Sequence, residues 1–358
     1  MQFVNNGPDI PEKLLQAHEE GRVVFFCGAG ISFPAKLPGF GKLVWDLYNA
    51  VGVTPDAVQR QALKSNQFDT AVSLLEAVNP TNEWRRDVRK EMAKLLQPNY
   101  SSAKATLTHK ALLQLSTTSE NKIRLITTNF DRIFKQVEKS EGLNVSDYKA
   151  PLLPVPKNRW DGLVYLHGLL PENINGSELD HLVISSGDFG LAYLTERWAA
   201  RFVSELFRSF TVCFVGYSLN DPVLRYMMDA LAADRLLGES PPEMFAFGNY
   251  KKGEFEQEQQ QWLAKNVTPI LYRNHSNHFY LHKTLENWSE TYRDGLSGKE
   301  QIVVTTAISK PSSSDMYENY ARNLAWALSD PTGIPAKRFS KLNPAPALEW
   351  LDALSSIE

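Results

Sequence analysis

The run Val23-Val24-Phe25-Phe26-Cys27, followed at once by Gly28-Ala29-Gly30, constrains the fold more than any other stretch of this sequence. Five apolar residues without alternation suit a strand buried on both faces, as in a parallel sheet covered by helices. The run stops where only very small side chains occur. A strand-to-turn step of this kind lets backbone N–H groups approach a phosphate and aims the N-terminus of the next helix at the anion. Ser32 adds a hydroxyl at the same rim. A dinucleotide or another phosphate ligand is the first expectation. The dinucleotide fingerprint is incomplete, because Phe33 stands where its third glycine belongs.

The remainder of the chain has the material for such a sheet. Of 358 residues, 43% are hydrophobic and 22% charged, enough for one large α/β domain with an appendage. A net charge of −3 gives no electrostatic case for nucleic acid or an anionic membrane surface. No apolar stretch reaches the 18 or so residues that would span a bilayer, and the N-terminus lacks the pattern of a signal peptide. The two cysteines, Cys27 and Cys213, each fall in an expected core strand and read as small hydrophobes. A cytoplasmic protein is expected.

A short helix is expected over residues 8–20, and after the glycine turn a loop stiffened by Pro34 and Pro38. Residues 54–117 read as continuously helical, an insertion after the first strand that could cap a ligand crevice or serve as an oligomer interface. Further strands are expected at 123–126, 163–166, 182–184, 212–215, 244–247 and 268–272, alternating with helices. The fold class is therefore α/β: a Rossmann-like, mostly parallel sheet with helices on both faces. Residues 1–296 form the ligand-binding domain. Residues 297–358, rich in Ser, Thr, Lys and Pro, read as a linker and the start of a following helical region cut from a longer chain.

Polar residues gather where four strands end. The endings are Gly28-Ala29-Gly30, Thr128-Asn129-Phe130-Asp131, His167-Gly168 and Gly216-Tyr217-Ser218. Open α/β sheets bind ligands outside the carboxyl edge of the strands, and four such endings on one rim make a site.

These four motifs, in this order over roughly residues 10 to 290, resemble those of the sirtuin-like family. Gly28-Ala29-Gly30-Ile31-Ser32 is similar to its first NAD loop, Asn129-Phe130-Asp131 to its Asn-x-Asp motif, Leu166-His167-Gly168 to its catalytic-histidine motif, and Gly216-Tyr217-Ser218 to its Gly-x-Ser loop. Two cysteines cannot form the four-cysteine zinc module of the family's deacylases, so no metal is expected. Pro38-Gly39-Phe40-Gly41-Lys42 lacks the acid and arginine that follow the first loop in those enzymes. The branch resembled best is the bacterial defence-associated sirtuins. That likeness implies an N-terminal, NAD+-hydrolysing effector of an anti-phage, abortive-infection protein. It further implies a homo-oligomer governed by a C-terminal sensor region and a phage-derived trigger.

The chemistry implied is cleavage of NAD+ to nicotinamide and ADP-ribose through an oxocarbenium-like transition state. Little acid catalysis is needed at a leaving group that already carries positive charge; the protein must hold the ribose and place one water. Asn129 suits water and ribose positioning. His167 suits the general base, as an imidazole near its reference pKa accepts a proton at neutral pH. Asp131 would orient the nicotinamide amide or stabilise the developing cation. Gly28, Ala29, Gly30, Ser32, Gly216 and Ser218 would cradle the diphosphate and adenosine ribose, with Phe40 and Thr128 beside them and Asn249 near the second ribose. Asn129 and Asp131 also suit capping the helix near Arg132, and Asp221-Pro222 reads as a plain helix start. His275, His278 and His282 would share a face only if their helix began early, with Asn277 its expected start. A protein deacylase or ADP-ribosyltransferase, or a non-catalytic NAD or ADP-ribose sensor, stands as the alternative.

Overall fold

The computed structural model describes all residues except 158–159, 219–225, 229–241, 312–315 and 356–358. Seven strands form one all-parallel sheet: β1 (Val23–Cys27), β2 (Arg124–Thr127), β3 (Asp147–Lys149), β4 (Gly162–Tyr165), β5 (Thr211–Val215), β6 (Met244–Tyr250) and β7 (Thr268–Arg273). Their order is β3-β4-β2-β1-β5-β6-β7. Without the edge strand β3 this is the doubly wound order, and the chain changes direction across the sheet beside β1.

The unbroken apolar runs follow from burial on both faces. Val23, Phe25 and Cys27 point to one face. There they meet Leu14 and Leu15 of α1 (Glu12–Glu19), Leu112 of α6 (Leu107–Leu115), Phe134 of α7 (Ile133–Glu141) and Trp288 of α11 (Phe279–Asp294). Val24 and Phe26 point to the other, in one cluster with Phe189 of α8 (Ser186–Phe189), Phe202, Val203 and Leu206 of α9 (Trp198–Ser209) and Trp262 of α10 (Phe255–Leu263). Each fully buried Phe of β1 contributes roughly 1.5–3 kcal/mol relative to exposure. Cys27 and Cys213 are both buried, unbridged core residues, and burial pushes both thiols upward in pKa.

The insertion is helical as expected. It comprises α3 (Ala57–Lys64), α4 (Phe68–Glu76), α5 (Asn82–Leu95) and α6, preceded by α2 (Phe40–Ala50). Helices α2 to α5 enclose their own core, into which Phe130, Leu170, Leu179, Leu182 and Ile184 insert from the sheet side. The insertion is therefore fastened over the strand ends.

Three expectations are corrected. Leu182–Ile184 is extended but belongs to no strand: the Val183 N–H donates to the His167 carbonyl at 3.0 Å, and the Leu182 carbonyl accepts from the Arg89 guanidinium at 3.0 Å. The strand missed instead is the polar edge strand β3, paired with β4. After the glycine turn the chain forms a 3-10 helix, Ala29–Ala35, rather than a free loop. Residues 296–307, whose composition suggests a linker, form helix α12 (Leu296–Ala307). Together with α13 (Met316–Leu328), α14 (Ile334–Ser340) and α15 (Glu349–Ser355), α12 buries Val303, Leu324 and Trp350 in a separate small core. The start of the helix expected at Asp221-Pro222 lies outside the described residues; Tyr226 to Met228 are helical.

Candidate active site

Strand register sets the heights at which the motif loops leave the sheet. Cys27 pairs with both Thr127 and Val215, and Thr127 with Tyr165. The residues just beyond, Gly28, Thr128, Leu166 and Gly216, therefore emerge at one level on the carboxyl rim. The four endings read from the sequence converge.

The two glycine loops touch each other directly. The Gly30 N–H donates to the Gly216 carbonyl at 2.9 Å, and the Gly28 N–H to the Val215 carbonyl at 2.8 Å. A Cβ on Gly30 would sit 2.8 Å from Gly216 Cα, and one on Gly28 2.9 Å from the Gly216 oxygen. Gly216 itself, at φ +77°, occupies the left-handed region that glycine tolerates. These amides, expected to face a phosphate, here hold the loops together. Thr128 Oγ1 and the Tyr217 hydroxyl lie 2.6 Å apart and tie β2 to the same junction.

Ser32 is the centre of a buried polar cluster. Its hydroxyl donates to Asp131 Oδ2 at 2.7 Å and accepts from Asn129 Nδ2 at 3.2 Å. His109 Nε2, from α6, lies at 3.4 Å from the same oxygen, and the second Asn129 amide proton goes to the Gly28 carbonyl at 3.1 Å. Asp131 Oδ1 accepts from the Ile133 N–H at 3.0 Å. One oxygen of Asp131 thus serves the start of α7 and the other serves the cluster, so the capping and site readings both hold. Burial raises the pKa of Asp131 above the ordinary carboxylate value, against the hydrogen bonds from Ile133 and Ser32.

His167 follows β4 and is packed edge-on against Phe189 at 5.1 Å, with Nε2 at 3.0 Å from the Tyr193 hydroxyl. Burial pushes its pKa down to about 3, with the Asp188 carboxylate pulling weakly the other way. This corrects the expectation of an imidazole near its reference value. In this form His167 is neutral and a weak base, and a bound anion nearby would be needed to raise its basicity.

Asn129 and His167 line one cavity of about 50 Å³, together with Ala29, Ser32, Thr128, Asp131 and Phe40. Phe40 and Leu43 of α2, ahead of the insertion, and Leu96 of the insertion itself, just after α5, also line it. Such a volume holds roughly three to five waters, far less than a dinucleotide. Gly216 and Ser218 stand on the rim outside this lining, Ser218 exposed. Asn249, near the end of β6, is turned to Asn274, whose Nδ2 donates to its Oδ1 at 3.3 Å. The three imidazoles of 275–282 go separate ways. The helix begins at Phe279, His278 Nδ1 meets the Tyr272 hydroxyl at 2.8 Å, His282 Nδ1 meets Thr108 Oγ1 at 2.9 Å, and His275 is exposed.

Sequence reasoning gave no role to Tyr217 inside the Gly216-Tyr217-Ser218 motif and missed His109, Tyr193 and Phe189. Of these three only His109 left a signal, since it shares a helical face with Leu112 and Leu113, three and four residues on. A polar residue on a core-facing stripe needs a buried partner.

Residues 123–270 match the family described as the SIR2-like domain, and the match supports a sirtuin-like, NAD-related reading of that segment. The matched segment holds Asn129, His167 and Gly216, while the glycine turn of β1 precedes it. The whole chain is 28% identical, over 367 residues, to "Uncharacterized protein y4cA" of Sinorhizobium fredii (strain NBRC 101917 / NGR234). The alignment covers 100% of this chain and 29% of that protein, so the chain spans less than a third of this relative's length.

Proposed function

We propose that this sirtuin-like domain is an NAD+ glycohydrolase that releases nicotinamide and leaves ADP-ribose. The observation that carries the reading is the shared cavity. The amide of Asn129 and the imidazole of His167, from two different strand ends, face one small space beside the glycine turn.

In this reading Asn129, fixed by Gly28 and Ser32, presents its side-chain oxygen to the nicotinamide ribose or to the attacking water. The carboxylate of Asp131 supplies negative potential where the anomeric carbon becomes cationic. His167 takes the proton of the attacking water, and the pyrophosphate of bound NAD+ raises its basicity from the low value of the closed form. Admission of the dinucleotide requires the cover formed by α2 and Leu96 to move, since the cavity beneath it is too small. A well-placed base contributes roughly 10²–10⁴-fold.

Chromatography of NAD+ incubated with the full-length protein, beside its Asn129→Ala and His167→Ala forms, tests this. Stoichiometric nicotinamide and ADP-ribose from the wild type, with a loss of at least about 100-fold in either variant, is expected. Equal turnover by all three would remove the assignment. The weak basicity of His167 favours one second reading, a sensor that binds NAD+ or ADP-ribose without cleaving it; NAD+ would then bind and be recovered intact. The wider role, an NAD+-depleting anti-phage effector that is homo-oligomeric and released by a phage-derived trigger acting through a C-terminal sensor, rests on the family resemblance. Cellular NAD+ measured during phage challenge, with and without His167→Ala, tests that role.

A further inference from the structure

The imidazole of His167 has two nitrogens, and the structure shows what one of them does. Nε2 lies 3.0 Å from the hydroxyl of Tyr193. Tyr193 does not line the cavity that His167 lines; it lines a different groove, beside Trp198 and Arg201. The nitrogen left to face the cavity is therefore Nδ1. For Nδ1 to accept a proton, the ring must carry its own proton on Nε2, and the Tyr193 oxygen must be the acceptor.

Tyr193 is held for this task from several directions. It is buried within a π-helical turn, Gly190–Thr195, an irregularity that tends to occur at functional sites. Its ring stacks on Phe189 at 6.0 Å and on Tyr226 at 5.6 Å. Tyr226 in turn lies flat on Phe189 at 5.0 Å and donates to Asp69 Oδ2 in α4 at 3.1 Å. Asp188, just before Phe189, accepts from Arg89 of α5 at 2.7 Å. The hydroxyl is thus positioned by a three-ring stack, and that stack is fastened to two helices of the insertion.

We propose that Tyr193 is a positioning residue for His167: its hydroxyl accepts the Nε2 proton, fixing the tautomer whose Nδ1 faces the cavity. The proposal rests on the reading of His167 as the base in NAD+ hydrolysis. When water attacks the anomeric carbon, its proton goes to Nδ1, its oxygen forms the new C–O bond, and the C–N electron pair leaves with nicotinamide. The imidazolium so formed keeps its Nε2–H on Tyr193. A residue that merely packed would not control the tautomer.

Tyr193→Phe keeps the ring and removes the hydroxyl. Nitrogen-15 NMR of histidine-labelled full-length protein, with the His167 signal assigned by its loss in His167→Gln, reports the tautomer whether or not the protein hydrolyses NAD+. The wild type is expected to show a single Nε2–H form and Tyr193→Phe a mixture. With NAD+, Tyr193→Phe is expected to lose about 10–100-fold in kcat with KM within about twofold, and its acid limb should move to lower pH because the imidazolium has lost an acceptor. Thermal melting near that of the wild type would show that the stack survives. An unchanged tautomer overturns the proposal, whatever happens to turnover, and so does a changed tautomer with an unchanged kcat. If His167→Ala leaves turnover intact, the hydrolase reading itself is at fault, and the NMR result still decides what Tyr193 does.

Discussion

At the scale of single residues, the site depends on how closely two loops can approach. Gly30 has no positive φ to protect; its constraint is space, because a Cβ would meet the Gly216 backbone at 2.8 and 3.0 Å. Gly30→Ala is therefore expected to destabilise by about 1–3 kcal/mol through overpacking against backbone that has little room to yield. Gly190 is the control, with nothing within 4 Å of its added Cβ; Gly190→Ala should be neutral or stabilise by about 0.4–1 kcal/mol. Urea midpoints at equal m-value separate the two, and an unchanged midpoint for Gly30→Ala would mean the loops are not in contact in solution. That the glycines, Asn129, Asp131 and His167 stand at strand ends was legible from the sequence, because each follows an apolar run that fixes where a strand stops. Tyr193 was not legible, since nothing in Leu191-Ala192-Tyr193-Leu194 announces a turn that brings a phenol to an imidazole 26 positions earlier.

At the scale of elements, α5 is fastened to the segment 179–189 by three arginines: Arg85 and Arg89 reach Asp188, Arg86 reaches Asp180, and Arg89 is the buried one. Arg89 of α5 is fully buried. It donates to Glu76 at 2.9 Å, to Asp188 at 2.7 Å, and to the carbonyls of Leu179 and Leu182 at 2.9 and 3.0 Å. The guanidinium takes up the Leu182 carbonyl while the Val183 and Ile184 N–H groups go to the His167 carbonyl and Asp188 Oδ2, so the backbone of the apolar run Leu182–Ile184 is bonded outside the sheet ladder. Sequence periodicity cannot foresee such bonding: three apolar residues look alike in a ladder or against a buried cation. Strand β3 escaped for the opposite reason, as Asp147-Tyr148-Lys149 is a half-exposed edge with no apolar pattern. Arg89→Met would leave Glu76 and Asp188 to Arg85 alone and the carbonyls of Leu179 and Leu182 without their buried donor, and should cost about 1–3 kcal/mol. Arg89→Lys should recover little, because an ammonium cannot reproduce the planar fork that reaches four acceptors. Hydrogen exchange resolved by segment is expected to show 179–189 losing protection first in either variant. Uniform loss across the sheet instead would mean that Arg89 does not set the seating of this strap.

At the scale of the whole molecule, the distribution of buried imidazoles makes stability depend on mild acid. His18 lies among Phe25, Trp288 and Tyr292 with Nε2–H donated to the Leu115 carbonyl at 2.7 Å, and burial lowers its pKa to about 4. Burial likewise lowers His282 to about 4 and His109 and His167 to about 3. Of these the sequence singled out His167 as a base and His282 as one of three neighbouring histidines; that all four are enclosed follows from the packing of α1, α6 and α11 on one sheet face and of the Phe189 turn on the rim. A depressed histidine pKa means that the unfolded chain binds the proton first, so the native state is fully favoured above about pH 6.5 and loses ground as pH falls toward 3–4. Four such groups would give a slope of about 5–6 kcal/mol per pH unit. Asp131 and Glu138 act in the opposite sense, since burial raises both carboxyls and the folded chain takes up those protons before the unfolded one does. These two carboxyls therefore offset part of that slope. Urea midpoints measured at half-unit steps from pH 7.5 to 4.5 should hold level to about pH 6.5 and then fall steeply, well before ordinary carboxylates titrate. A midpoint that stays level to pH 4.5 would show that these imidazoles are solvated in the native protein, and with them the cluster that joins Ser32 to His109 would be open to water.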